Sequence, residues 1–167
     1  MVEKPWRRTS IGAARKKGCW TFMIPCRCPL GTETMMDGGL MVEYIGYVSR
    51  KEINRLYGRS RVGIVLYQPA GNHYESQPIK IFEYMAAGLP VVASDFPLWR
   101  EIVEENCCGV CVSPVLASEV ANALKTLLSH PEKAQRMGRN GRDAVVEKYN
   151  WDEEEPKLLE LYSEICE

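Results

Sequence analysis

Two apolar runs set the terms on which this chain can fold. Val62-Gly63-Ile64-Val65-Leu66-Tyr67 and Leu89-Pro90-Val91-Val92-Ala93-Ser94 are continuous where a half-wet strand would alternate. Unbroken runs of this kind suit strands of a parallel sheet covered on both faces. Between them lie a polar loop, 68–77, and a helix expected over about 78 to 87. Pro78 fits its first turn and Gly88 its C′ position.

The flanking text extends the same alternation. Residues 42–48 read as a strand, rich in β-branched and aromatic side chains. Ser49 then stands three residues before Glu52, the capping-box spacing. Ile53, Leu56 and Tyr57 follow at helical intervals, with the helix ending near Ser60. Beyond residue 94, Trp99, Ile102 and Val103 mark a short helix, and Gly109–Val112 a last strand stopped by Pro114. Val120, Leu124, Leu127 and Leu128 share one face of a further helix. Pro131 opens another, with Ala134, Met137, Val145 and Tyr149 inward. Gly138 and Gly141 inside it each cost about 1 kcal/mol relative to Ala, which implies that a second backbone packs closely there. A final amphipathic helix carries Leu158, Leu161, Tyr162 and Ile165, with Pro156 expected in its first turn. Strands alternating with helices from residue 41 imply βαβ units, an α/β fold and a helical C-terminus. Residues 1–40 are poorly patterned. Trp20–Ile24, ended by Pro25, is their clearest strand candidate, and the expectation is that they supply the first strands of the domain that spans 41–167.

Composition closes off several classes of function. At 167 residues, with 46% hydrophobic and 26% charged, the chain is an ordinary globular domain. A formal net charge of -1 argues against nucleic acid held by phosphate neutralisation. The charge is uneven: residues 1–28 hold seven Lys/Arg against one Glu, and residues 151–167 seven Asp/Glu against one Lys. No apolar run reaches the roughly 18–20 residues that span a bilayer, and no apolar h-region follows the basic N-terminus. Seven cysteines, an odd count without a signal peptide, favour reduced thiols. Cys26-x-Cys28 and Cys107-Cys108-x-x-Cys111 lack zinc-site spacing and a nearby histidine, so no metal is expected.

The chemistry concentrates in the loop and its helix. Ligands of a parallel sheet bind outside the carboxyl ends of the strands, where the loop lies. A helix opening near 76–78 would aim its free N–H groups and positive dipole end into that crevice, a site for phosphate or diphosphate. Glu75 stands at the mouth. Glu83, eight residues on, would lie up to about 12 Å along one helix and within roughly a quarter-turn of the same face. Two hydroxyl-accepting carboxylates at that span match a sugar, a diphosphate and a ribose in line. On spacing alone another reading stands beside this one, in which Glu75 caps the helix and Glu83 is a solvated or helix-paired residue.

Glu75-x7-Glu83 and the text after it, Tyr84-Met85-Ala86-Ala87-Gly88-Leu89-Pro90-Val91-Val92-Ala93-Ser94-Asp95, resemble the donor-binding signature of retaining glycosyltransferases of the GT-B fold, family 4. The resemblance runs on through Glu101-Ile102-Val103, Glu105-Asn106-Cys107-Cys108-Gly109, Met137-Gly138-x-x-Gly141-Arg142 and Tyr149-Asn150-Trp151. It implies a Rossmann-like three-layer domain with a parallel sheet, the C-terminal half of such an enzyme. The implied activity is metal-independent, cofactor-free transfer of a sugar from a nucleotide-diphospho-sugar to a polysaccharide, glycolipid or other lipid-linked acceptor. By the same resemblance Glu75 is the catalytic carboxylate, touching hydroxyls of the transferred sugar, and Glu83 takes the ribose. The backbone at Ser76 and Gln77 receives the diphosphate, with Lys80 as an added charge and His73 and Tyr74 beside the crevice. Arg15 and Lys17, in a stretch that matches the family's Gly-rich turn only with altered spacing, are candidates for gripping the diphosphate. An N-terminal acceptor domain, which the family uses as the opposite wall, is missing from this sequence. The implied location is cytoplasmic, with a peripheral position at the membrane face. Two alternatives are a non-catalytic nucleotide-sugar-binding module and a nucleotide-sugar epimerase of the same fold.

Overall fold

The computed structural model describes residues 47–166 and the strand at 19–25. The sheet runs in the order β1 (Cys19–Pro25), β2 (Ser60–Tyr67), β3 (Val91–Ser94) and β4 (Gly109–Val112). The last three strands are parallel, with Ile64 opposite Val92 and Ala93 opposite Cys111. β1, the strand expected at 20–24, joins the edge antiparallel to β2, from Cys19 opposite Tyr67 to Ile24 opposite Val62. Of the strand expected over 42–48, residues 42–46 lie outside the described residues. Tyr47 and Val48 are not in a strand, and Tyr47 is 97% exposed.

The helices are α1 (Arg50–Arg59), α2 (Gly71–Tyr74), α3 (Ile79–Ala86), α4 (Pro97–Val103), α5 (Ala117–Ser129), α6 (Pro131–Glu147) and α7 (Trp151–Cys166). Strand side chains alternate between two cores, which accounts for the unbroken apolar text. Val65, Val91 and Ala93 face a cluster with Tyr57, Ile81, Tyr84, Met85, Trp99, Ile102 and Val103 from α1, α3 and α4. Val62, Ile64 and Val92 face the other side, against Leu127, Leu124 and Val120 of α5 and Ala134 and Met137 of α6. Helices therefore cover both faces, and the three-layer Rossmann-like arrangement is in place.

Local chemistry sets the element ends. Ser49 and Glu52 form the full capping box: the Ser49 hydroxyl accepts from the Glu52 N–H, and the Glu52 carboxylate from the Ser49 N–H. α3 closes as a Schellman motif. The Gly88 N–H donates to Met85 O and the Leu89 N–H to Tyr84 O, with Gly88 at φ +71. That left-handed conformation is the one glycine adopts at no steric cost. Three residues after Gly88, at Val91, the chain enters β3.

α7 departs from expectation at its start. It starts at Trp151, so Pro156 is an interior residue rather than part of the first turn. Asn150 accepts from the Glu153 N–H, and Asp152, Glu153 and Glu154 then complement the positive dipole end. Leu158, Leu161, Tyr162 and Ile165, the apolar face of this helix, are all exposed.

Gly138 meets another backbone, as its cost implied. A Cβ built there would lie 2.0 Å from Gly88 O. Gly141 sits against Cys108 and Met85. Gly138→Ala is therefore expected to destabilise the domain by about 2–3 kcal/mol or more, the cost of overpacking against backbone that cannot yield. Gly58→Ala, where the added methyl meets nothing within 4 Å, is expected to stabilise by up to about 1 kcal/mol. Urea unfolding midpoints of the two variants check both signs.

Candidate active site

The carboxyl ends of β2 and β3 are tied together before any helix begins. Ser94, fully buried, accepts the Tyr67 N–H at 2.8 Å and donates its hydroxyl to Tyr67 O at 3.0 Å. From this knot the loop 68–78 rises to the edge of the sheet. It holds one short helical turn, α2, and is anchored by aromatic edges. Tyr67 meets His73 at 5.0 Å between centroids and Trp99 at 5.1 Å, Trp99 meets Phe96 at 4.9 Å, and Phe96 meets Tyr74 at 4.7 Å. Trp99 Nε1–H donates to Ser76 O at 2.7 Å, so the core holds the loop by a main-chain atom.

The candidate residues are brought to this edge in different states. His73 Nδ1 lies 2.7 Å from Gln68 O. A carbonyl only accepts, so Nδ1 carries the proton and His73 packs the loop through that nitrogen. Tyr74 is 44% exposed over Phe96. Ser76 spends its hydroxyl on His73 O. Gln77 is exposed and helps to line a groove of about 440 Å³ with Phe82, Tyr149, Asn150, Trp151 and Glu154. Glu75 closes α2 and is exposed, with no hydrogen bond or ion pair among the described residues. Arg15 and Lys17 lie outside the described residues.

The helix that was expected to start near 76–78 starts at Ile79, with Pro78 as its N-cap and no side-chain cap. Ser76-Gln77-Pro78 is not helical, because Pro78 biases Gln77 away from the helical region. Glu75 and Glu83 therefore do not share one helix, and the quarter-turn projection between them does not hold. The opening N–H groups of α3, those of Ile79 and Lys80, are unpaired within the helix, as at any helix start.

Glu83 sits one turn into α3 and gathers three donors. Its Oε1 accepts from Arg50 Nη1 at 2.9 Å; its Oε2 accepts from Tyr57 Oη at 2.8 Å and Lys80 Nζ at 2.5 Å. Burial works to raise its pKa, but the bonds from Lys80, Arg50 and Tyr57 outweigh burial and hold it down at about 2. Burial first, then the bond to Glu83, pushes the Tyr57 phenol up. Lys80, expected to face the diphosphate or solvent, pairs with Glu83 instead. Arg50 and Tyr57 were not foreseen as partners. They lie 33 and 26 residues from Glu83, and no local spacing announces them.

Nearby, Asp95 and Arg100 form a two-pronged ion pair, with Arg100 Nη2 at 2.8 Å from Oδ2 and Nε on Oδ1. The bond from Arg100 lowers the Asp95 pKa. Burial pushes the thiols of Cys108 and Cys111 up to about 12, so neither is a nucleophile at neutral pH. Among the described residues, Cys107, Cys108, Cys111 and Cys166 are free, and no group of three His, Cys, Asp or Glu is placed to hold a metal ion. No described helix is long and apolar enough to cross a membrane.

A depressed carboxylate is a stability term with a defined sign. The unfolded Glu83 titrates near 4.5 and the folded one near 2. The stabilisation is complete above about pH 4.5 and is lost as pH falls toward 2. Wild type is thus expected to lose more stability than Glu83→Gln between pH 5 and pH 2, read from urea melts at each pH. Parallel decline of the two proteins would contradict this ionisation.

Comparison with known proteins identifies the family. The family model "Glycosyl transferases group 1" matches residues 37–144. An alpha-D-kanosaminyltransferase from Streptomyces kanamyceticus is 32% identical over 94 residues, 56% of this chain and 24% of that protein. A GDP-mannose-dependent alpha-(1-6)-phosphatidylinositol monomannoside mannosyltransferase from Mycobacterium tuberculosis is 34% identical over 92 residues, 55% of this chain and 24% of that protein. The structure of sucrose-phosphate synthase from Thermosynechococcus elongatus superposes with a TM-score of 0.66 at 28% identity, over 75% of this chain and 30% of that one. The chain thus spans about a quarter of the length of the curated relatives it matches. A Rossmann-like half of a GT-B fold, carrying the family's text along its sheet edge, makes this chain a member of the group 1 glycosyl transferases.

Proposed function

We propose that this chain is the donor-binding wall of a retaining, metal-independent glycosyltransferase. It would hold a nucleotide-diphospho-sugar for transfer to a saccharide or lipid-linked acceptor. The observation that carries the reading is the contrast around the start of α3. An uncapped helix N-terminus lies between an exposed carboxylate with no partner among the described residues, Glu75, and an ionised one held by three donors, Glu83. The two acids differ in what they can do. Glu75 has all its acceptor positions open for hydroxyls of the transferred sugar. Glu83 is fixed in place and suits the ribose.

In the proposed reaction the bond between the anomeric carbon and the diphosphate oxygen breaks, and a bond to the acceptor hydroxyl oxygen forms. The acceptor proton passes to the departing diphosphate. Negative charge grows on that leaving group, and the N–H groups and dipole at the start of α3 are preorganised to meet it. Exposed Gln77 and half-buried Ser76 lie beside the same helix start. The acceptor would be held by the opposite wall of the cleft; this chain spans about a quarter of the relatives' length. The phosphatidylinositol-linked substrate named for the mycobacterial relative favours an acceptor at a membrane face, approached from the cytoplasmic side by a peripheral enzyme.

Calorimetric titration with UDP, GDP and ADP tests the pocket. Saturable binding of one of them by the wild-type chain, lost in Glu83→Ala, is expected; failure of all three to bind would overturn the reading. Glu75 is tested in the chain joined to its opposite wall. Glu75→Gln is expected to lower kcat for sugar transfer by on the order of 100-fold, while affinity for the nucleoside diphosphate, which lacks the sugar, stays within about twofold. A transfer rate untouched by Glu75→Gln would remove it from the reaction. No transfer at all by the joined wild type would favour a binding module.

A further inference from the structure

The geometry points to Tyr57 as the positioning residue for the ribose-binding carboxylate: its buried phenol keeps Glu83 in place while Arg50 beside it turns away. The inference rests on the nucleotide reading of Glu83 given above.

The three donors to Glu83 differ in how firmly they are held. Tyr57 is 7% exposed. Its ring packs in the larger core cluster, edge-on to Tyr84 at 5.7 Å and 84°. Tyr84 in turn fills the space over Gly63 of β2, where an added Cβ would lie 2.3 Å from the ring. The phenol therefore cannot swing off Glu83 without repacking the contact between α1 and α3. Arg50 and Lys80 reach the same carboxylate on long stems, with side chains 67% and 40% exposed. Exposed ion pairs of this kind are each worth little and exchange readily with solvent.

Acceptor arithmetic then decides which donor stays. A carboxylate offers about four lone-pair positions. Oε2 already takes two donors, Tyr57 and Lys80, and Oε1 takes one, Arg50. The two vicinal hydroxyls of a ribose bring two donors to the one remaining position, so at least one present donor must leave. Departure of Arg50, the most exposed of the three, frees Oε1 completely. Tyr57 continues to hold Oε2 and so fixes the orientation in which Oε1 is presented. It acts through Glu83 and touches no part of the nucleotide.

Tyr57→Phe keeps the ring and deletes only the hydroxyl. The full chain is titrated with UDP, GDP and ADP, and then with the 2′,3′-dideoxy form of whichever binds. Tyr57→Phe is expected to weaken the ribonucleotide about tenfold, the loss of one bond to a charged group. It should leave the dideoxynucleotide within about twofold. Glu83→Gln is expected to remove the preference for ribose over dideoxyribose, and adding Tyr57→Phe to it should change nothing further. Thermal midpoints measured beside the titrations show whether each variant is folded. Equal weakening of ribo- and dideoxynucleotide would mean that Tyr57 only packs, and would overturn the inference. So would an unchanged ribonucleotide affinity in Tyr57→Phe; loss of the ribose preference in Glu83→Gln would then still uphold the nucleotide reading. Absence of nucleotide binding by wild type would overturn both.

Discussion

The contact between Gly88 and Gly138 governs how close the layers of this domain come. Gly88 ends α3, holds the positive φ that turns the chain into β3, and presents its carbonyl where α6 crosses. Only a residue without a side chain lets α6 rest on that carbonyl, and Gly138 is that residue. The end of one helix, the start of a central strand and the seat of a second helix thus meet at one point. Glu83 is five residues upstream on α3. Its height above the sheet edge is therefore inherited from a contact between two main chains, a rigid reference for its carboxylate.

What could be read from the residues divides along sequence distance. The capping box at Ser49 and Glu52 and the glycine after α3 involve partners within a turn, so residue type and spacing suffice to place them. The same holds for the buried strands, because full burial leaves no polar residue in the text of 62–65 and 91–93. The start of α3 was misread by up to three residues. The local signal against a helix at Gln77 is Pro78, while the loop itself is held by aromatic contacts from Phe96 and Trp99, about twenty residues away. The partners of Glu83 escaped for the same reason. Arg50 and Tyr57 are ordinary helix residues in the text, and only the packing of α1 on α3 turns them toward the carboxylate. α7 is the opposite case. Its pattern was read correctly as amphipathic, but pattern alone does not say whether a surface to receive it lies in the same described structure.

The edge also shows how two like charges serve different ends. Glu83 is made a permanent anion by three donors, so its charge is constant over the physiological range and its geometry is the variable. Glu75 is exposed and has no side-chain partner among the described residues. Between them the main chain supplies unpaired N–H groups that need no side chain to orient them. Burial keeps the thiols of Cys108 and Cys111 neutral.

Trp99 gives this arrangement an optical handle. Its indole is fully buried, touches Tyr67 and Phe96, and donates to the main-chain oxygen of Ser76 in the loop that leads to α3. The emission of an indole responds to the polarity around it and to the hydrogen bond it makes. Movement of the loop by an ångström would stretch that bond and alter the environment of a chromophore that water never reaches. Trp151, 62% exposed at the start of α7, emits from a wet environment and can be told apart by wavelength and by quenching. With Trp6, Trp20 and Trp151 replaced by phenylalanine, the domain carries a spectroscopic gauge of its own loop, readable without any label.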